Sequence, residues 1–432
     1  MKLTINNFAK IKKADISIDS ITVIAGLNNT AKTTIGKLLF CIVDSLKYLD
    51  IKIVIERENR ILHSLDKNLI LEKSFFDYYY QNYFRNICED ILASEVDETD
   101  IKALKELIQE LILKYDIKNA ISYLKEGIDS IAKDVAEVCG IDRNEIAKII
   151  LNENLNAEFH KQLNNVSEKN KNAIVNLEID KQVASIDIKN NQVIKMSDFK
   201  LDNSVIMIDN PFILDRRGYD DEKNTHYNDL YRKIFFYNDD AVANAFDEII
   251  GTKKLEKVMK KLETIIQGNL TNYNGEDVYQ ESSDIPPIHI TNLSTGLKAF
   301  VILKKLILNN QLNEKSILIL DEPEIHLHPE WQLVYAELIV LLQKELNIKV
   351  LVTTHSPYFI EALEVFVAMH KVKKSRFYLS EMSNNSVIFK DTTKNMESVY
   401  SLLAKPFQTL ENLKYKGVEN IETNQKRFTK FR

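Results

Sequence analysis

One short segment constrains this chain more than any other: the apolar residues 317–320, which end in Asp321 and Glu322. A short apolar run bounded by turn residues is typical of a strand buried inside a parallel sheet. Open sheets of this kind bind their ligands at the carboxyl ends of their strands. The segment therefore predicts an α/β fold with two carboxylates at the ligand-binding edge.

The two carboxylates suit the chemistry of phosphate. Asp321 is placed to hold Mg²⁺, which prefers oxygen ligands. Glu322 is placed to orient or activate a water against a γ-phosphate. A core strand can also end in an acidic pair that has no chemical role. The interpretation therefore depends on further phosphate-binding motifs in the right order along the chain.

A loop of the P-loop kind is one such motif. The pattern predicts a strand at residues 21–25, a helix from residue 35 and a loop between them, which is the context that a P-loop needs. Backbone N–H groups and the helix N-terminus would bind the phosphates. Lys32 would reach the β and γ oxygens, and the Thr33 hydroxyl would bind Mg²⁺. The predicted nucleotide-binding residues are Gly26, Asn28, Asn29, Thr30, Ala31, Lys32, Thr33 and Thr34.

Ala31 departs from the P-loop pattern, which has glycine at this position. A Cβ here restricts the backbone and crowds the path of the phosphates. We therefore expect the nucleotide to be bound securely but turned over slowly.

A second anion site is predicted at Ser294 and Gly296, which precede a helix with apolar positions between Leu297 and Ile307. A hydroxyl, free N–H groups and the helix dipole all favour an anion at a helix N-terminus. A serine that only caps its helix is the alternative for such a motif in isolation. The acidic strand follows within one helix, and this order favours a role in phosphate binding.

His355 is predicted at the carboxyl end of a neighbouring core strand, residues 349–352, where it could contact a γ-phosphate. His326 and His328 lie on the turn after the acidic pair without a third ligand nearby, so we interpret them as structural. The segment 208–211 also ends a strand-like run, and two interpretations stay open for it: a lining of the site or a simple turn.

These four features resemble the ABC-type ATPase superfamily. The corresponding motifs are Walker A at residues 26–33, the signature at 293–296, Walker B at 317–322 and a switch histidine at His355. The resemblance implies ATP and Mg²⁺ as cofactors, catalytic roles for Glu322 and His355, and metal binding by Thr33 and Asp321. It also implies that the signature of one subunit completes the site of another, so that two heads sandwich two ATP molecules. Residues 321–329 resemble the RecF/OLD/SMC-like branch and lack the sequel that transporter subunits carry after Walker B.

The motifs and periodicities predict a division into six segments. Two a/d seams, at residues 101–115 and 121–138, are out of phase and so predict two helices that meet as a short hairpin near residues 116–119. The predicted fold class is α/β: a P-loop ABC-type ATPase head with a helical insertion between Walker A and the signature, plus a small C-terminal α/β extension. The segments are 1–45 (head, Walker A part), 46–170 (helical insertion), 171–215 (return to the ATPase sheet), 216–285 (helical subdomain), 286–365 (head with signature, Walker B and switch histidine) and 366–432 (C-terminal extension).

Composition excludes several classes of protein. The formal net charge of −6 gives no general attraction to nucleic acid or anionic lipid. Three scattered cysteines, Cys41, Cys88 and Cys139, indicate neither a disulfide framework nor a zinc site. No signal peptide is apparent, and no apolar run approaches the roughly 18 residues of a membrane span. We therefore expect a cytoplasmic protein without a membrane partner.

A stand-alone ATPase of this branch without an effector domain is similar to the ATPase subunits of bacterial anti-phage systems, namely Septu and the Septu-like ATPases of some retrons. Residues 395–406 share in this resemblance. It implies an ATP-binding, slowly hydrolysing scaffold that gates a separately encoded effector, commonly a nuclease, and forms a homodimer or higher oligomer. Contact with nucleic acid, through the complex, is left open.

Two alternatives remain at this point. A DNA-repair ATPase of the RecF/SMC type would need a basic track across the paired heads, and an ABC transporter subunit would need a coupling groove for a membrane partner.

Overall fold

The computed structural model describes residues 1–68, 78–94, 96–97, 99–115, 125–165, 167, 171–216, 225–236, 255–273 and 276–428. The chain divides into two compact units: Met1–Ser45 with Leu151–Arg432, and Leu46–Ile150. The predicted hairpin tip near residues 116–119 lies outside the described residues. The six-segment division stays a prediction.

The larger unit is built on a mixed sheet with eleven strands among the described residues. Their order across the sheet is β6-β5-β4-β1-β2-β14-β13-β3-β12-β11-β7. The strands are β1 Lys2–Phe8, β2 Ile11–Ser17, β3 Ile21–Gly26, β4 Ala173–Ile179, β5 Gln182–Lys189, β6 Gln192–Met196, β7 Ser204–Ile208, β11 Ser316–Asp321, β12 Lys349–Thr354, β13 Arg376–Ser383 and β14 Ser386–Asp391. A separate three-stranded antiparallel sheet contains β8 Asn269–Tyr273, β9 Glu276–Gln280 and β10 Ile288–His289.

The parallel part of the main sheet positions the site. Strands β13, β3, β12, β11 and β7 are neighbours and all run parallel. Val352 of β12 pairs with Val23 of β3 and with Leu320 of β11, which in turn pairs with Ile208 of β7. The carboxyl ends of these strands therefore meet at one edge. The predicted α/β head is confirmed.

Helices connect the strands of this unit and cover its core. They are α1 Lys32–Leu46, α7 His226–Phe235, α8 at residues 255–263, α9 Thr295–Leu308, α10 Pro329–Leu346, α11 Pro357–Met369, α12 Glu397–Phe428 and the second half of α6 Arg143–Phe159, which belongs to this unit from Leu151 onward. Short 3-10 helices lie at Pro211–Asp215 and Ile290–Asn292. His328 and Ser356 cap α10 and α11, each followed by proline at the first helical position, where its fixed φ suits a helix start.

Two segments differ in detail from the simplest interpretation of the sequence. The range 216–285 contains α7 and α8, but it ends in β8 and β9. In the C-terminal extension, β13 and β14 lie inside the main sheet, between β3 and β2. The extension therefore contributes strands to the head itself.

The smaller unit contains α2 Leu49–Asn68, α3 Tyr78–Ala93, α4 Ile101–Lys114 and α5 Lys125–Cys139. Asp100 caps α4 by accepting hydrogen bonds from the Lys102 and Ala103 N–H groups. The seam residues Leu104 and Ile108 are buried in one hydrophobic cluster with Ile131 of α5. Throughout the described part of the chain, no helix has the length and apolarity needed to cross a membrane.

Candidate nucleotide site

The loop between β3 and α1 has the conformation of a tight anion-binding turn. Asn29 and Ala31 adopt φ values of 66° and 58°, in the left-handed region, which costs a non-glycine residue about 1–2 kcal/mol. Thr30 Oγ1 donates to Leu27 O at 2.7 Å and lies 2.7 Å from Ser380 Oγ. Ala31, where the P-loop pattern has glycine, therefore adopts a strained backbone conformation.

Gly26 is required by close packing under this loop. A Cβ at Gly26 would collide with Ser380 Oγ and would lie 2.7 Å from Ser380 O. Ser380, on β13, also donates to Ala25 O at 3.1 Å. Ser380 is a supporting residue that sequence reasoning missed, since only the pairing of β13 with β3 brings it under the loop.

Lys32 is buried and turned inward. Its side chain is 4% exposed, and Nζ donates to Gly26 O and Leu27 O at 3.0 Å each. Nζ also lies 3.1 Å from Glu322 Oε1. The structure thus brings the predicted phosphate-binding lysine and the predicted catalytic carboxylate into one ion pair.

Thr33 and Asp321 are held together at the strand edge. Thr33 Oγ1 donates to Asp321 Oδ2 at 2.7 Å, and Thr353 Oγ1 donates to Asp321 Oδ1. Burial raises the pKa of the Asp321 carboxyl, although the hydrogen bonds from Thr353 and Thr33 oppose this shift. The two predicted metal ligands are therefore adjacent.

This donor set fits Mg²⁺ bound together with a nucleotide. Within the described ranges, no group of three or more His, Cys, Asp and Glu side chains could hold a metal ion alone. Mg²⁺ in phosphate sites commonly takes one or two carboxylates and completes its shell with phosphate and water oxygens. One hydroxyl and one carboxylate, from Thr33 and Asp321, match that requirement.

Glu322 occupies a strained turn directly after β11. Its φ is 48°, and its N–H donates to Thr353 O at 3.0 Å. Strained backbone of this kind often occurs at functional sites. The turn directs the carboxylate so that Oε1 faces Lys32 while Oε2 lies 3.3 Å from His355 Nδ1.

Glu324 binds the backbone of His355 and was not predicted as a site residue. It is 3% exposed, and its Oε1 accepts hydrogen bonds from Thr354 Oγ1 at 2.5 Å and from the His355 N–H at 3.4 Å. Burial raises the pKa of the Glu324 carboxyl. The available signal was a second glutamate one residue beyond Pro323, but the sequence gives no indication of its burial.

The predicted P-loop residues 28–34, but not Gly26, line a cavity of about 500 Å³, within the range of small-molecule sites. Its wall also includes residues from outside the motifs. The lining consists of Ala9, Lys10, Asn28, Asn29, Thr30, Ala31, Lys32, Thr33, Thr34, Phe159, Gln162 and Glu322.

The predicted signature residues lie apart from this cavity. Ser294 is exposed and caps α9, where its Oγ accepts from the Leu297 N–H at 3.4 Å. A Cβ at Gly296 would lie 3.0 Å from the Trp331 ring and 3.1 Å from His326 O, so any larger residue would force these neighbours to shift by a few tenths of an ångström. Among the hydrogen bonds of the described residues, none joins Ser294 or Gly296 to the P-loop. A single chain therefore brings Walker A, Walker B and His355 together without the signature.

A buried histidine was also missed. His226 Nδ1 lies 2.6 Å from Glu158 Oε1, and Nε2 lies 2.9 Å from Asp209 Oδ2. Burial alone would lower the pKa of His226, but its hydrogen bonds to Asp209 and Glu158 outweigh burial and raise it to about 9. Lys37 Nζ, on α1, approaches Glu158 Oε2 at 3.4 Å. The imidazolium thus joins two carboxylates that lie 51 positions apart, at 158 and 209.

Asp209, one of these two carboxylates, belongs to the segment 208–211 and lies at the site. Ile208 pairs with Leu320, so the next residues, Asp209 and Asp321, follow neighbouring strands at the same edge. Asp209, Asp321 and Glu322 all line a small cavity of about 30 Å³. Of the two interpretations, a lining of the site fits this geometry.

The strand–loop–helix turn, the buried lysine and the acidic strand end together define a P-loop ATPase head. Residues 1–360 match the family model described as AAA ATPase domain, AAA_15. Because this match covers most of the 432 residues, the protein belongs to the AAA_15 family of ATPase domains. It is accordingly an ATP-binding protein.

The chain is also similar to solved structures of SMC heads at low identity. The SMC head domain from Thermotoga maritima is 12% identical, with 90% of this chain and 97% of that chain covered and a TM-score of 0.37. The SmcHead bound to the C-winged helix domain of ScpA is 11% identical, with coverages of 91% and 97% and a TM-score of 0.40. The Smc head domain with an extended coiled coil bound to the C-terminal domain of ScpA, from Pyrococcus furiosus, is 12% identical, with coverages of 96% and 98% and a TM-score of 0.34.

Proposed function

We propose that this chain is the ATP-binding and slowly ATP-hydrolysing scaffold subunit of a bacterial anti-phage defence complex of the Septu-like kind, in which it gates a separately encoded effector such as a nuclease. The observation that carries the ATPase part is the convergence of Lys32, Asp321, Glu322 and His355 at the ends of adjacent parallel strands. The defence part rests on the resemblance described from the sequence.

The proposed chemistry assigns one role to each side chain. Lys32 would exchange its partners Gly26 O, Leu27 O and Glu322 for phosphate oxygens. Glu322, released from Lys32, would orient the attacking water and accept its proton, and His355 would contact the γ-phosphate. Thr33 and Asp321 would hold Mg²⁺, which supplies positive charge against the phosphates when bound.

Slow turnover is supported by features of the resting site. Nucleotide binding must break the buried pair of Lys32 and Glu322, whose Nζ and Oε1 atoms lie 3.1 Å apart. Ala31 keeps a left-handed backbone that disfavours a Cβ. Both features oppose a rapid cycle, which suits a switch that spends most of its time in one state.

A head-to-head dimer is supported by the position of the signature residues. Ser294 is exposed at the start of α9, and among the described residues its hydroxyl has one long hydrogen bond, from the Leu297 N–H at 3.4 Å. A partner's phosphate could therefore be reached by this hydroxyl and by the free N–H groups beside it. We propose two composite sites in a homodimer, or in a higher oligomer built from such dimers.

The defence role is tested by co-expression with the products of the flanking genes, followed by phage challenge. We expect protection from the wild-type set, and none from the chain alone or from sets carrying Lys32→Ala. A small nuclease or a reverse transcriptase in the flanking genes would agree with the proposal. A permease partner, or protection by the isolated chain, would overturn it.

The DNA-repair alternative gives a different result in a simpler assay. A RecF/SMC-like repair ATPase should bind duplex DNA as an ATP-trapped dimer, with a strong dependence on salt. The scaffold proposal expects the isolated Glu322→Gln dimer to bind DNA weakly, since the net charge is −6. Tight, salt-dependent binding would favour the repair function.

A further inference from the structure

The nucleotide cavity extends beyond the P-loop to a second group of residues. Ala9 and Lys10 lie on the turn between β1 and β2, while Phe159 and Gln162 lie at and just after the end of α6. Lys10 Nζ donates to Asn29 Oδ1 at 2.5 Å, so this group adjoins the beginning of the P-loop. The metal-binding side chains, in contrast, lie at the start of α1 and the end of β11.

Phe159 is fixed in place by its surroundings. Its ring meets the buried ring of Phe8 edge-on, with centroids 5.1 Å apart. The chain then turns through His160 and Lys161, at φ values of 49° and 61°. The Ala9 N–H donates to Leu163 O at 2.8 Å, which ties this turn to the β1–β2 turn. The ring is therefore held rigidly, yet it is only half-buried.

Such a wall has the chemistry of a nucleobase site. A flat aromatic ring can stack on a base. A side-chain amide carries both N–H donors and a carbonyl acceptor, the combination that pairs with the N6 and N7 edge of adenine. Gln162 is exposed and lines the same cavity as Phe159. The P-loop would bind phosphates alone and could not distinguish one nucleotide from another.

We propose that Phe159 and Gln162 form the base subsite of the nucleotide cavity, where the Phe159 ring stacks on adenine and the Gln162 amide pairs with its edge. The inference rests on nucleotide binding by the P-loop, and it assigns the end of α6 to the recognition of ATP. The last residue of α6, the helix that returns from the insertion, would then contact the bound base.

Titration calorimetry in the presence of Mg²⁺ separates the base from the phosphates, with ATP and inorganic tripolyphosphate as the two probes. Phe159→Leu keeps an apolar side chain against Phe8 but removes the flat ring. We expect it to weaken ATP binding about ten-fold, with tripolyphosphate affinity unchanged. Phe159→Tyr should restore ATP binding. Phe407→Leu, an aromatic change on an exposed part of α12, should affect neither probe.

A second variant tests the amide without disturbing the core. Because Gln162 is exposed, Gln162→Ala should fold normally and should reduce the preference for ATP over GTP several-fold. An unchanged preference in Gln162→Ala, or equal losses of ATP and tripolyphosphate affinity in Phe159→Leu, would overturn the subsite. Failure of the P-loop assignment looks different: wild type would then bind neither probe, or Lys32→Ala would bind both as wild type does.

Discussion

The nucleotide cavity and the start of α9 belong to the same compact unit but satisfy their polar groups in different ways. In the cavity, Lys32 and Glu322 are buried and paired with each other at 3.1 Å. At the start of α9, Ser294 is exposed, and its hydroxyl accepts one hydrogen bond at 3.4 Å. A ligand in the cavity must displace strong internal partners, whereas a ligand at α9 displaces water. In the proposed function, the first region would carry out the chemical step and the second would contact a partner head.

The largest effect is expected in the nucleotide cavity, on removal of the Glu322 carboxylate. Glu322→Gln should lower kcat about 10²–10⁴-fold, since the amide cannot accept the proton of the attacking water. ATP affinity should be preserved or increased, because this role belongs to the transition state and the amide no longer holds Lys32 in an ion pair. A steady-state ATPase assay with calorimetry checks both values, with the exposed Glu330→Gln as the matched control. Wild-type turnover in Glu322→Gln would contradict the assignment.

Loss of the buried cation should mainly affect binding. Lys32→Ala should weaken Mg-ATP binding on the order of 100-fold, because charge-assisted hydrogen bonds to the phosphates disappear and the phosphate charge is left without its buried cation. Calorimetry with Lys12→Ala, an exposed lysine on β2, provides the control. Equal ATP affinity in Lys32→Ala and wild type would remove Lys32 from the site.

A mixture of two inactive variants tests whether the two regions act on one ATP. Lys32→Ala and Ser294→Arg should each be inactive as homodimers, but a mixed dimer contains one intact composite site. Equal mixing should therefore restore about a quarter of the wild-type ATPase rate, as random pairing in a two-fold dimer requires. Sedimentation must show that dimers form. Mixed dimers without activity would show that Ser294 does not act in trans.

The smallest effect is expected at the loop itself. Ala31→Gly removes the Cβ from a residue at φ 58°, where this conformation costs about 1–2 kcal/mol. We expect about half of this cost to be specific to the transition state, so kcat should rise about two- to five-fold. The melting temperature should change little, because glycine also increases the entropy of the unfolded chain by a similar amount. Ala14→Gly on β2 is the control, and a decrease of kcat in Ala31→Gly would refute the strain argument.

The parts of the site that could be predicted are those written in contiguous residues. Walker A lies between a strand and a helix that are adjacent in sequence, and Walker B is an apolar strand with its carboxylates attached. Periodicity and turn chemistry determine such local units. The same arguments placed His355 at the end of β12, where the structure has it.

The parts that could not be predicted depend on pairings between distant segments. Ser380 reaches Thr30 across 350 positions, and Glu158 reaches His226 across 68. No local pattern specifies which strand inserts beside β3, because the hydrophobic pattern of β13 would suit several places in a sheet. The burial of Glu324 likewise follows from the packing of Thr354 against it, which depends on the tertiary structure.

The contact of Ser380 with the P-loop has a consequence for biosynthesis. The P-loop leaves the ribosome early, but the serine beneath it is translated 350 positions later. At ordinary elongation rates that interval lasts roughly 18–70 s. During that time Gly26 and Thr30 lack Ser380, the neighbour that fixes their turn. The edge of β3 that pairs with β13 is also unpaired. Nascent chains of this protein should therefore remain unable to retain nucleotide until late in translation, and a pulse-labelled nascent-chain binding assay would follow that delay directly.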